Sequence, residues 1–177
     1  MILITLATLM LVAGCGGGST KKGAGSVLQV GPRPIVSKEG EFRTVIPRGY
    51  TNYPSVAQYW ANGPQEDGFV ASVIVVRKGV SREVGISTYV HRLMRFLRPL
   101  IHRASHLEPL SVNGEPALAM DYFVTATGSL KGKVTHVRQV FVKHGAWVFF
   151  IRDITLPAQY AASLPALDEV LRNWHWL

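Results

Sequence analysis

Residues 134–156, VTHVRQVFVKHGAWVFFIRDITL, constrain the fold more than any other stretch. Two apolar runs, Val134–Val142 and Trp147–Leu156, flank Lys143-His144-Gly145-Ala146. Valine, isoleucine, phenylalanine, threonine and tryptophan pack well on a pleated surface and lose side-chain freedom in a helix. The pattern predicts an antiparallel hairpin at the centre of one sheet. With Val142 opposite Trp147, alternation sets His136 across from Asp153, and the preceding hairpin brings Thr125 to the other side of His136.

Other strands follow from the same reading. Glu41–Ile46 is a short strand ended by Pro47, and Val56–Ala61 a second, closed by the turn residues Asn62-Gly63-Pro64. Phe69–Arg77, FVASVIVVR, is apolar almost throughout, so its sheet is covered on both faces. Leu110–Val112 is an edge strand before the Asn113-Gly114 turn, and Pro116–Thr127 leads towards the central hairpin.

Two helical regions supply the cover. The first starts at Ser81, which is its cap or lies just before it, buries Ile86, Val90, Leu93 and Leu97, and ends at Pro99. At the C-terminal end Ala158–Ala162 makes one turn, and Pro165 opens a second helix at its first position. Leu167, Val170, Leu171 and Trp174 cover the sheet. The expected architecture is α+β, an α/β/α sandwich with a central antiparallel sheet.

The N-terminus speaks to location. MILITLATLMLVA is too short to span a bilayer and reads as the apolar part of an export signal. Val12-Ala13-Gly14-Cys15 resembles the lipobox of bacterial lipoproteins. Residues 1–14 then form the signal peptide and residues 15–38 a lipidated, glycine-rich tether, leaving residues 39–177 as one domain. Cys15, the single cysteine, is the lipid-attachment residue. Two or three acyl chains hold a protein on a membrane where one does not. No lysine or arginine precedes the apolar run, which points to a translation start upstream of Met1.

The net charge is +8. Lys21 and Lys22 in the tether, and His91, Arg92, Arg95 and Arg98 on the first helix, are candidate contacts to an anionic surface. Contact with anionic lipid, contact with an acidic envelope polymer, and a merely solvated face are the readings of that helix. Nucleic acid is not a partner expected of an exported domain.

Candidate ligand-facing residues are Tyr50, Tyr59 and Trp60, as an aromatic rim, and Asp121, His136 and Asp153 on the sheet. Asp121 interrupts an apolar strand and needs hydrogen-bond partners wherever it is buried. His136 with Asp153 has the form of an oriented imidazole, but no serine lies in a nucleophile-elbow pattern. His102 and His106 are four residues apart, yet Pro99 disrupts the helix that metal ligation needs. No catalytic residue, metal or cofactor is expected.

Phe42-Arg43-Thr44-Val45-Ile46-Pro47-Arg48-Gly49-Tyr50 resembles the opening strand-proline-glycine-aromatic segment of the Mog1/PsbP-like families. Val112-Asn113-Gly114-Glu115-Pro116-Ala117 resembles their strand entry. The segments Thr155–Tyr160 and Pro165–Arg172 are similar to actinobacterial LpqN/LpqT-type lipoproteins. The resemblance spans residues 41–176. It implies the same α/β/α sandwich in an exported protein lipid-anchored on the extracytoplasmic face of the cell membrane, and carries over no active site.

The expectation is a non-enzymatic envelope lipoprotein that holds the membrane through its acyl chains and binds an envelope protein, lipid or glycolipid. A hydrolase of an envelope ester or glycan is one alternative. A structural surface domain without a dedicated small ligand is the other.

Overall fold

The computed structural model describes residues 31–53, 55–126 and 132–177. Cys15, Lys21 and Lys22, with the signal and most of the tether, lie outside the described residues. Among the described residues the elements follow in the order β1 (Arg33–Val36), β2 (Phe42–Ile46), β3 (Thr51–Asn52), β4 (Tyr59–Glu66), β5 (Phe69–Gly79), α1 (Ile86–Leu97), β6 (Glu108–Val112), β7 (Glu115–Thr125), β8 (Val134–His144), β9 (Trp147–Thr155), α2 (Tyr160–Arg172) and β10 (His175–Trp176). A 3-10 turn, Pro157–Gln159, leads into α2.

Seven strands make the main antiparallel sheet in the order β3-β4-β5-β9-β8-β7-β6. The expected hairpin, β8–β9, lies at its centre. A small sheet, β1-β2-β10, flanks it. Arg33–Val36, expected inside the tether, pairs antiparallel with β2, so the folded part starts earlier than residue 39.

The two faces have separate cores. On one, Phe42, Tyr59, Val75, Phe149 and Ile151 meet Leu167, Val170 and Trp174 of α2 and its C-terminal flank. Trp174 stacks on Phe42 with ring centres 3.8 Å apart. On the other face, Val90 of α1 is buried with Met120, Tyr122, Phe141 and Phe150, and Ile86 and Leu93 pack against them. The α1 stripe read from the sequence is the buried one. The fold is therefore α+β, a sheet between helical layers.

Three expectations for the strands are corrected. The β8–β9 turn closes with His144 opposite Trp147 rather than Val142 opposite Trp147, because Gly145 adopts a left-handed φ of 56° and the chain reverses in two residues. Every pair in the hairpin shifts, while each side chain keeps its face. Asn62-Gly63-Pro64 does not end β4; the strand runs through it with an irregularity between Asn62 and Gln65, where a proline is tolerated. The reversal comes at Asp67-Gly68, both with positive φ. Val56 precedes the strand and is exposed.

The helices are corrected as well. The first begins after Gly85, not at Ser81. The two expected C-terminal segments form one helix that includes Pro165. Its missing N–H forgoes a bond to the carbonyl four residues back. Burial of Ser163, Ala166, Leu167 and Val170 along one side holds the helix together across it. No helix among the described residues is long and apolar enough to cross a membrane.

Candidate functional site

Two regions present chemistry, one on each face of the sheet. On the α2 face, β7 alternation brings Asp121 and Phe123 to the same side, and β8 sets Arg138 and His136 directly across from them. The turn at Pro157–Gln159 then delivers Tyr160, the first residue of α2, over this group.

The Asp121 carboxylate ties the cluster together. It accepts from Tyr160 Oη at 2.6 Å, from His136 Nε2 at 3.2 Å and from Arg138 Nη1 at 2.5 Å. Arg138 also reaches Glu108 Oε2 at 2.8 Å. The need for partners at Asp121, inferred from its apolar strand, is met three times over. The His136 ring is sandwiched between Tyr160, at 3.7 Å, and Phe123, at 4.6 Å.

Charge and burial follow from this packing. Burial lowers the His136 pKa below its ordinary value; the Asp121 carboxylate opposes the change and Arg138 adds to it. Burial also raises the Tyr160 hydroxyl, and its bond to Asp121 raises it further. A neutral imidazole and an un-ionised phenol therefore face a carboxylate at neutral pH. No hydroxyl or thiol is hydrogen-bonded to His136 among the described residues. The group has the makings of a lock between sheet and helix rather than of an activated nucleophile.

Asp153 lies behind it. The expected His136–Asp153 pair is not formed: His136 stands opposite Thr155 and Phe123, and Asp153 opposite Arg138. Thr125 pairs with Val134 instead of flanking His136. Asp153 is 0% exposed, so it cannot face a ligand. Its Oδ2 accepts from Ser163 Oγ at 2.6 Å, and Oδ1 has no partner among the described residues. Burial pushes its pKa up from 3.8 to about 6; the Ser163 bond acts against the rise and the Asp121 charge adds to it.

The aromatic rim is not assembled. Tyr59 is buried in the α2-side core and donates its hydroxyl to the Val45 carbonyl at 3.0 Å. Tyr50 belongs to the same core, its ring seated over Gly63. Trp60 points to the opposite face, tilts against Tyr53 at 5.1 Å and donates Nε1–H to Asn62 Oδ1.

The other region is a groove of about 630 Å³ on the α1 face. Met94, Leu107, Pro109, Leu118 and Met120 are its apolar lining, and Ser87, His91, Ser105 and His106 its polar lining. The lining thus comes from α1, from the chain over residues 104–107, from the start of β6 and from β7. His91 Nδ1–H donates to the Ser87 carbonyl at 2.8 Å, which leaves Nε2 as an acceptor. Sequence reasoning missed this groove, and also Arg138 and Tyr160 in the polar cluster. The charge of Arg138 inside an apolar strand was its one visible signal. Among the described residues no three His, Cys, Asp or Glu side chains are grouped to hold a metal.

No family model matches the chain, and no curated protein matches it. Solved structures do. LpqN of Mycobacterium tuberculosis, involved in cell envelope biogenesis, is similar with a TM-score of 0.62 at 13% identity, over 82% of this chain and 90% of that one. The cyanobacterial PsbP protein of Synechocystis is similar with a TM-score of 0.57 at 13% identity, over 88% and 99%. The protein PA94 of Pseudomonas aeruginosa is similar with a TM-score of 0.51 at 17% identity, over 78% and 92%. The chain thus has the α+β fold of the Mog1/PsbP-like group, shared with LpqN and the cyanobacterial PsbP protein.

Proposed function

We propose that this protein is a non-enzymatic, lipid-anchored protein of the cell envelope whose folded domain binds an acyl-bearing envelope lipid or glycolipid. The observation that carries the reading is the groove between α1 and β7. Its lining is mostly apolar, so an acyl chain laid along it would meet Met94, Leu107 and Leu118, with the polar side chains of Ser87, His91, Ser105 and His106 in the same lining. Small-ligand sites commonly combine these features. The polar cluster on the far face spends its hydrogen-bonding capacity on itself.

Lipid attachment at Cys15 and placement on the extracytoplasmic face belong to this proposal. They rest on the lipobox-like segment, and the likeness to a protein of envelope biogenesis agrees with them. The protein needs no cofactor for such a role.

Lipids retained by the purified chain after exposure to an envelope extract, identified by mass spectrometry, test the reading. The expected result is one amphiphile per chain, lost in Ala104→Trp, which fills the groove from its outer wall. Retention of nothing by the parent favours a structural surface domain. Ester or glycan turnover that disappears in a folded His136→Ala variant favours the hydrolase.

A further inference from the structure

Residues 84–107 contain no aspartate or glutamate, yet they carry Arg92, Arg95, Arg98 and Arg103. All four are exposed, and none forms an ion pair among the described residues. Helical spacing turns Arg92, Arg95 and Phe96 away from the buried Val90 and Leu97. Phe96 is 59% exposed, and Leu100, in the turn that ends α1, is 40% exposed. The feature is thus two exposed apolar side chains and four exposed arginines without an ion pair, on one helix and the segment that follows it, in a stretch of chain that holds no acid of its own.

We propose that the outer face of α1 and its C-terminal turn dock on an anionic phospholipid bilayer, with Phe96 and Leu100 entering the boundary between headgroups and acyl chains. A single exposed phenylalanine needs no explanation. A soluble polyanion accounts for the arginines and leaves the apolar pair in water. An anionic bilayer surface satisfies both, because guanidinium groups bond phosphates in a bidentate fashion while apolar side chains leave water just below them. This docking lays α1 along the surface and turns α2 away from it. It stands on residues outside the groove lining and does not depend on what the groove holds.

The whole chain tests this in a Cys15→Ala background, so that an introduced thiol is the only one. Phe96→Cys carrying an environment-sensitive fluorophore is mixed with phosphatidylcholine vesicles, with or without phosphatidylglycerol. The same label at Asp168→Cys, exposed on α2, is the control. The expected result is a blue shift at position 96 on the phosphatidylglycerol vesicles only, with none at position 168. Arg92→Gln and Arg95→Gln should each lower partitioning about fivefold, and added salt should weaken it further. No shift at position 96, an equal shift at position 168, or unchanged partitioning of the arginine variants overturns the proposal. So does an equal shift with polyphosphate in the absence of vesicles, which assigns the face to a soluble polyanion.

Discussion

Asp153→Asn should change how stability depends on pH. Asp153 is fully buried, one oxygen bonded to Ser163 and the other without a partner among the described residues. Its pKa is 3.8 ordinarily and about 6 in the fold. Between those values the native state binds more protons than the unfolded chain, so stability falls as pH rises through this window. The full difference is about 3 kcal/mol at neutral pH, of which about 2 kcal/mol is lost between pH 4 and pH 7. Asparagine keeps an acceptor for Ser163 and cannot ionise. Its amide would lack a partner where the free oxygen now sits, costing about 1–3 kcal/mol at every pH. The parent's stability relative to the variant should therefore fall by about 2 kcal/mol between pH 4, where both side chains are neutral, and pH 7. Urea unfolding of both proteins at several pH values, followed by tryptophan fluorescence, measures this difference. Stability curves that run parallel from pH 4 to pH 7 would refute the reasoning.

Other perturbations reach other parts of the fold. An added Cβ at Gly63 meets the Tyr50 ring at 2.7 Å, so Gly63→Ala should cost about 1–3 kcal/mol in chemical denaturation. Trp174→Ala removes a buried ring stacked on Phe42 and should cost about 3–5 kcal/mol by the same assay. The His136 imidazole should titrate below 6.5 by NMR, and its share of stability should fall as pH drops through that range, since the unfolded chain then binds the proton more readily. Tyr160→Phe removes one donor to Asp121 and should cost about 1 kcal/mol without unfolding α2, as followed by circular dichroism.

Much of the scaffold is legible in the residue pattern, because alternation and helical spacing are local. The β8–β9 hairpin, the apolar β5 and the α1 stripe of Ile86, Val90, Leu93 and Leu97 all read directly. Register is harder. One glycine conformation at Gly145 decides whether the turn takes four residues or two, and with it whether His136 or Arg138 faces Asp153. Asn62-Gly63-Pro64 has turn chemistry, but the sheet absorbs it as an irregularity and the reversal falls to Asp67-Gly68.

The sites were legible only in part. A lone aspartate in an apolar strand announces a need for partners, and Asp121 has them. Nothing local says that one partner is Tyr160, which arrives from 39 residues further along. The aromatic residues Tyr50, Tyr59 and Trp60 are close in sequence, yet alternation along β4 sends Tyr59 and Trp60 to opposite faces. The groove joins α1, β7 and a connecting segment, so no single stretch of sequence contains it.

Ligand binding in the groove beside α1 is open to direct measurement. Amide chemical shifts followed by NMR during titration with lysophosphatidylglycerol, kept below its micelle concentration, address it most directly. A ligand seated in the groove gives saturable changes at Ser87, His91 and Met94 and along residues 104–107. Changes centred instead on Asp121, His136 and Tyr160, or no saturable change anywhere, would contradict it.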